Sequence, residues 1–377
     1  MKRILLLAVL LLAALTGLGA QDFTNFRIPE SIVSPEMVGD TVVLRLAGEY
    51  ASDVKVEGSW LSSPAPMQKR EGVWEIRIAG LTGNFHSYRF IVDGVPALDP
   101  SNPNVQRDGT ELLNFFVSDG FLSRNYKEAS HRGEVSFVWY DSAILGTNRR
   151  MAVYTPYGYN RDKRKKYPVL YLLHDEGQDE ESWLTMGRAA QVLDKLIEEG
   201  RAVPMILVMP NCSAAEQASM TLGLPEVHNA RTTSTSVFMS CFVNEIIPFI
   251  EANYKVEAKK SSRAVAGIGR GGTDIINAAI LYPNLFDFLL PLSCGVVDNG
   301  HLTQDFLRIK NAGVKLFWSG CGTMDSVAYA PSQTLHEALS YIHLDHTFYV
   351  MNGGRDWVCW RHFLNNFAPM IFKYYTD

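Results

Sequence analysis

Between residues 32 and 116, apolar and polar side chains alternate in short runs: "TVVLRLAG", "DVKVEGSW", "GVWEIRIAGL", "HSYRFIVDG" and "LLNFFVSDG", separated by Gly, Pro, Asn and Asp. Successive side chains of a strand face opposite sides of a sheet, so a period of two predicts half-buried strands joined by turns. No long segment with helical periodicity interrupts them, and the region is expected to form a small immunoglobulin-like β-sandwich. Beyond a polar connector near residues 118–133 the pattern changes. "EVSFVWYDS" and "RRMAVYTP" lead into continuous apolar runs, "YPVLYLLHD", "PMILVMPN", "SRAVAGIG", "FDFLLPLS", "VKLFWSG" and "HTFYVMN". Between them stand segments of helical period, "GRAAQVLDKLIEEG", "CFVNEIIPFIEANY", "TDIINAAILY" and "APSQTLHEALSYI", and a last helix follows Trp357. Strands that are apolar throughout and alternate with amphipathic helices predict an α/β domain, its parallel sheet covered on both faces. Functional groups of such a sheet gather at the carboxyl ends of its strands.

Length and composition agree with two globular domains: 377 residues exceed one ordinary core, at 47% hydrophobic and 20% charged. The first residues, "MKRILLLAVLLLAALTGLGAQ", place two basic residues before an apolar run and end it in small residues. That is the pattern of a secretory leader, and the run is short for a membrane span. The expected organisation is a leader over residues 1–20, the sandwich over 21–120, a linker over 121–131 and the α/β domain over 132–377. The mature protein would be secreted or periplasmic, with no membrane span. A net charge of −5 offers no basic field for phosphate backbones, so no nucleic-acid partner is expected. The five cysteines, at 212, 241, 294, 321 and 359, match no metal template and read as small buried hydrophobes. No metal or organic cofactor is expected.

The stretch "AVAGIGRGGTDII" carries two motifs at once. Gly267, Gly269 and Gly272 spell the G-x-G-x-x-G of a dinucleotide loop. Such a loop follows the first strand of its unit, with an acidic partner closing the second. Here strong strands already precede Gly267, and Asp287, at the right distance, opens the next strand instead of closing it. The rival is the nucleophile elbow G-x-S-x-G, a sharp turn between strand and helix.

Along the chain, "MAVYTPYGYN", "YPVLYLLH", "SWLTMGRAAQVLDKLIEEGRAVPMILVMPN", "LYPNLFDF", "GTMD" and "GGRDWVCWRHFLNNFAPMIF" occur in order. With these motifs, residues 132–377 resemble the esterase-D-like members of carbohydrate esterase family one, the feruloyl and acetyl xylan esterases. The first region, through "VKVEGSW", "GVWEIRI", "YRFIVDG" and "DPSNPNV", resembles early-set domains related to carbohydrate-binding module family 48. Such a domain could stack sugars on Trp60, Trp74 or Tyr88, although core packing is the blander role for these rings. The esterase resemblance implies a Ser–Asp–His triad, and this chain departs from it. The nucleophile position holds Gly269, the acid position in "GTMD" keeps Asp325, and Arg355 replaces the histidine in "GGRDW". At the oxyanion loop, where the family usually has His-Gly, the chain reads His174-Asp175. The partner amide there would come from Arg270, the residue after the nucleophile position. Thr273, Ser293, Cys294 and Cys321 lie nearby in the chain, but none falls at the elbow tip. Arginine stays protonated at neutral pH and cannot act as the base.

The expectation is a non-hydrolytic esterase-family protein that binds plant cell-wall polysaccharide or oligosaccharide, such as xylan or its acidic or feruloylated fragments. The alternative is an active feruloyl or acetyl xylan esterase with a non-standard site. Arg355 is expected beside Asp325. With Arg270 it would present guanidinium groups to an acidic ligand, and Trp183 and Trp357 would supply an apolar or stacking wall. The polar stretch 213–236 is expected to form a rim loop.

Overall fold

The computed structural model describes residues 32–81, 83–109, 111–120, 122–126, 128–213, 235–297 and 300–373. The leader lies outside the described residues, as does most of the stretch expected to form a rim loop. The end of that stretch is helical, because a helix begins at Thr235 (Thr235–Cys241). The described chain divides into two compact units, the first reaching Leu81 and resuming over Tyr88–Pro103, the second comprising residues 83–87 and those from Asn104 onward.

The first unit holds strands β1 (Glu36–Val38), β2 (Thr41–Ala47), β3 (Val54–Gly58), β4 (Ala65–Pro66), β5 (Gln68–Arg70), β6 (Val73–Ile78), most of β7 (Phe85–Val92), and β8 (Val95–Ala97). They form antiparallel sheets, one ordered β1-β2-β6-β5, the other with β3 between β4 and β7 and with β8 on β7. Leu44 and Leu46 of β2, Val54 and Val56 of β3, and Phe90 are buried as the alternation predicts, whereas Val43 is buried against it. Trp74 and Tyr88 are buried too. The Trp74 indole donates to the Gly48 carbonyl at 3.0 Å, and the Tyr88 hydroxyl donates to Asp99 at 2.7 Å. These two rings pack the core and present no face for a sugar.

The second unit begins earlier than the polar connector suggests. It takes in β9 (Val105–Asp108), β10 (Glu111–Val117) and the first residues of β7. The reason is aromatic packing: Phe85 stacks on Phe115 at 4.9 Å, and Arg361 of the last helix donates to the Phe85 carbonyl at 3.1 Å. Its main sheet runs β11 (Glu134–Ser142), β12 (Thr147–Thr155), β14 (Ile206–Pro210), β13 (Val169–Leu173), β15 (Arg263–Ile268), β16 (Phe288–Leu292), β17 (Leu316–Gly322), β18 (Thr347–Met351). From β14 to β18 neighbours are parallel, whereas β11 and β12 pair antiparallel at one edge. The sheet is therefore mixed, because the loop Ala143–Gly146 is too short for a crossover and closes a hairpin. All residues of β13, β14 and β16 are buried, as continuous apolar runs require.

Both faces of this sheet are covered. One is packed by Phe238, Phe242, Ile275, Phe306 and Leu335, the other by Val192, Leu196, Trp360, Phe363 and Phe367. The helix Ala189–Glu198 buries Ala189, Val192, Leu193 and Leu196, the spacing of one helical face. The last helix, Trp357–Phe367, is capped by Asp356, whose carboxylate accepts from the Cys359 amide at 2.9 Å. No described helix is long and apolar enough to cross a membrane.

Candidate functional site

β15 ends at Ile268 and the helix Arg270–Leu281 follows, so one residue turns the chain. That residue is Gly269, at φ 53° and ψ −112°, a backbone conformation that side chains disfavour. Its neighbours permit close contact of strand and helix. A Cβ on Gly267 would lie 2.6 Å from the Gly271 carbonyl oxygen, and one on Gly271 would lie 2.6 Å from that of His174. The glycine loop is thus a strand–turn–helix elbow on a central strand. Asp287, the acid a dinucleotide loop would need, sits at the other end of the sheet before β16, ion-paired with Lys260 at 3.3 Å and Lys315 at 3.6 Å.

Asp175 follows β13 by two residues. The sequence leaves the direction of its carboxylate open, and the structure turns it inward. Oδ1 accepts from the backbone amides of Arg270 at 2.9 Å and Glu176 at 2.8 Å, and Oδ2 accepts from Arg355 Nη2 at 2.5 Å. In an elbow that carries a nucleophile, amides placed like these would hold a developing oxyanion. Here a resident carboxylate holds them, favoured by the aligned N–H groups of the helix start.

Arg355 also donates through Nη1 to the Ser293 carbonyl at 2.8 Å. It approaches Asp325 only to 3.9 Å, so its hydrogen-bonded acid is Asp175, not the Asp325 that the motif order suggests. Asp325 is fully enclosed and already accepts from the amides of Ala328 at 2.9 Å and Val327 at 3.2 Å. Gly269 is what admits the Asp175–Arg355 pair. A Cβ there would lie 2.0 Å from Arg355 Nη2 and 2.1 Å from Asp175 Oδ1.

None of the neighbouring hydroxyls or thiols stands at the elbow tip with a base. Thr273 lies one turn into the helix and bonds the Gly269 carbonyl at 3.3 Å. Ser293 is enclosed and accepts from the Trp360 indole at 2.9 Å. Cys294 and Cys321 are buried, and burial pushes both thiols up, so they stay protonated. All five cysteines are free and buried, as small hydrophobes would be. His362, on the last helix, bonds Tyr349 at 2.9 Å. His174 is not at the surface. Its Nδ1 meets the Asp175 carbonyl at 2.7 Å and its Nε2 accepts from the Cys212 amide at 2.7 Å, pinning the loop that carries Asp175.

Burial lowers the His174 pKa, and that of His362 likewise. The unfolded chain then binds protons more readily than the folded one, so stability is present above the ordinary histidine value of about 6.5 and lost as pH falls below it. The denaturant midpoint is expected to fall between pH 7 and 5. The fall should flatten in His174→Asn, and an equal slope in that variant would contradict the assignment.

A cleft of about 850 Å³ opens over the elbow at the carboxyl ends of the strands. Asp175, Arg355 and Ser293 line its polar side, with Ile276, Ile280, Val296, Leu302, Val327 and Pro331 forming apolar walls. Arg270 also lines it, with no side-chain hydrogen bond or ion pair among the described residues. No aromatic side chain is among the described lining residues. Trp183 and Trp357 are therefore not its wall. Both are buried in the core, edge to face at 5.4 Å, and the Trp183 indole donates to the Leu173 carbonyl at 3.1 Å. Among the described residues no group of His, Cys, Asp or Glu is arranged to hold a metal.

A mixed eight-stranded sheet with an elbow after β15 and an acid loop after β17 is the architecture of an α/β-hydrolase. Solved structures agree on the fold. The enterobactin esterase of Shigella flexneri superposes with a TM-score of 0.68 at 17% identity, covering 91% of this chain and 96% of that one. The CE1 ferulic acid esterase of Anaeromyces mucronatus does so with 0.55 at 22%, covering 65% and 93%. The chain belongs to the Esterase family, whose profile matches residues 142–370. It is 27% identical over 314 residues to the endo-1,4-beta-xylanase/feruloyl esterase of Xylanibacter ruminicola, a match spanning 81% of this chain and 40% of that protein. Endo-1,4-beta-xylanase Y of Acetivibrio thermocellus is 26% identical over 261 residues, 61% of this chain and 22% of its own length.

Proposed function

We propose that this protein is an exported member of the Esterase family that does not hydrolyse esters by the covalent route. Instead it binds plant cell-wall carbohydrate, xylan or its feruloylated or acidic fragments, in the cleft over Gly269. The observation that carries this reading is the Asp175–Arg355 ion pair, which fills both the nucleophile space and the oxyanion position. Deleting the nucleophile or the base of a serine hydrolase costs on the order of 10⁶ in rate, and this chain has neither at those positions. The relatives named for xylanase and feruloyl esterase support a wall glycan as ligand, and the leader pattern supports export. The Arg270 side chain, without a hydrogen bond or ion pair among the described residues, and the aliphatic walls suit a fragment with an acyl or acidic substituent better than a bare sugar chain. We further propose that the first unit's antiparallel sheets form an immunoglobulin-like sandwich of early-set type. With Trp74 and Tyr88 spent on its core, the first unit keeps only Trp60 of its three candidate sugar-stacking rings, half-buried beside Tyr88, and we place the glycan in the second unit.

Affinity electrophoresis through feruloylated arabinoxylan is expected to retard the protein, and de-esterified arabinoxylan to retard it less. Ile280→Glu, which places a charge on an apolar wall, should weaken retention by roughly tenfold, the scale of a lost apolar pocket contact. Retention indifferent to both changes would remove the cleft as the binding site.

A further inference from the structure

The second unit holds another cavity, of about 500 Å³, that shares no lining residue with the cleft over Gly269. Phe85, Phe115, Tyr126, Val135 and Leu184 line it, together with Arg188. Arg188 precedes the helix Ala189–Glu198 at φ 52°, a left-handed conformation that an arginine rarely adopts without reason. Its guanidinium lies 4.5 Å from the ring centre of Phe85 and 4.4 Å from that of Phe115. Its Nε is buried without a hydrogen-bond partner, and no carboxylate pairs with it among the described residues.

The surroundings do not supply the missing negative charge. Arg361, beside it and buried, bonds only neutral oxygens: the Met186 carbonyl at 2.7 Å, and the Tyr126 hydroxyl and Phe85 carbonyl at 3.1 Å each. Burial, and then the like charge of Arg361, push the Arg188 pKa down to about 10. The two acids of the lining are already occupied. Asp194 accepts from the Tyr154 hydroxyl at 2.6 Å and the Gly133 amide at 2.9 Å, and Glu128 pairs with Arg132 at 2.5 Å. A half-buried cation whose Nε is shut off from solvent without a hydrogen-bond partner is unfavourable, and a strained group of this kind, with no counter-charge among the described residues, marks a site that a ligand completes.

We propose that this cavity is a second binding site, taking a carboxylate carried on a ring, with the carboxylate against Arg188 and the ring against the apolar wall. A planar guanidinium matches a single carboxylate with two parallel hydrogen bonds. The volume is within the usual range for small-molecule sites, about 300–1,000 Å³. The site stands apart from the reading of the cleft and does not depend on it.

Calorimetric titration of the full chain at low salt tests the site with D-glucuronate and ferulate, against D-glucose and methyl ferulate as neutral counterparts. At least one acid is expected to bind saturably, at least roughly tenfold tighter than its counterpart, as a charged hydrogen bond implies. Because the cleft over Gly269 is proposed to take acidic fragments too, the site is read in an Arg270→Gln background: binding should persist there and be lost when Arg188→Gln is added. Glucuronate alone would identify an acidic sugar as the ligand, ferulate alone an aromatic acid. Should Arg188→Gln not fold, Arg188→Lys, which keeps the charge without the fork, is expected to weaken binding in the same direction. Absence of acid binding, equal binding of the neutral compounds, or an unchanged affinity in the folded Arg188 variant overturns the proposal.

Discussion

Wild-type protein is expected to release no ferulate from methyl ferulate above the uncatalysed rate, and the double variant Gly269→Ser, Arg355→His is expected to do no better. Restoring the hydroxyl and the imidazole leaves Asp175 in place, with Oδ1 on the amides of Arg270 and Glu176. A tetrahedral intermediate would have to displace an anion to gain its own stabilisation. The triple variant that adds Asp175→Gly is expected to hydrolyse the ester, faster than the double by about 10² to 10³, the usual worth of an oxyanion-hole donor. In it Asp325, already fixed by two amides, would orient the new imidazole. Initial rates by absorbance decide the matter. Turnover by wild type, or a double variant as fast as the triple, would show that the carboxylate does not block the site.

Gly269→Ser alone should destabilise the fold by about 2 kcal/mol or more, combining backbone strain at positive φ with disruption of a part-buried ion pair. The built Cβ meets both partners at close to 2 Å, and both belong to a network too confined to yield freely. In an Asp175→Gly background the same substitution should cost much less, since Arg355 can then move aside. Urea midpoints for the wild type, both singles and the double give the coupling, expected at roughly 1–3 kcal/mol. Additivity within about 0.5 kcal/mol would mean that the two positions do not compete for space.

Much of the fold can be read from the sequence, for reasons visible in particular elements. β13, β14 and β16 are buried at every position, so nothing but continuous apolar text could encode them. The elbow is legible because Gly267 and Gly271 must lack side chains for strand and helix to touch. The helix Leu302–Asn311 escapes notice, since most of its residues are polar and it buries only Phe306 and Ile309, so it reads as loop. The edge strand β11 leaves Val135, Phe137 and Trp139 substantially exposed, so its apolar residues do not mark the core. At the site, Gly269, Asp325 and Arg355 declare themselves as departures from or remnants of a motif. The partner of Arg355 does not, because Asp175 lies 180 residues away and only the packed sheet brings the two together. Trp183 and Trp357 carry the composition of a stacking wall, but sequence cannot say which side of a helix turn faces a cleft. The unit boundary is hidden for the same reason, since Phe85 joins the second unit through contacts with Phe115 and Arg361.

The way Asp175 and Arg355 interlock over Gly269 also acts as a ratchet on change. A serine returning at 269 has no room until the pair is dismantled, and dismantling the pair first strands a charge inside the protein. Each single step back toward a nucleophile therefore lowers stability before it restores any chemistry. The centre of the cleft is thereby held in the state it now occupies.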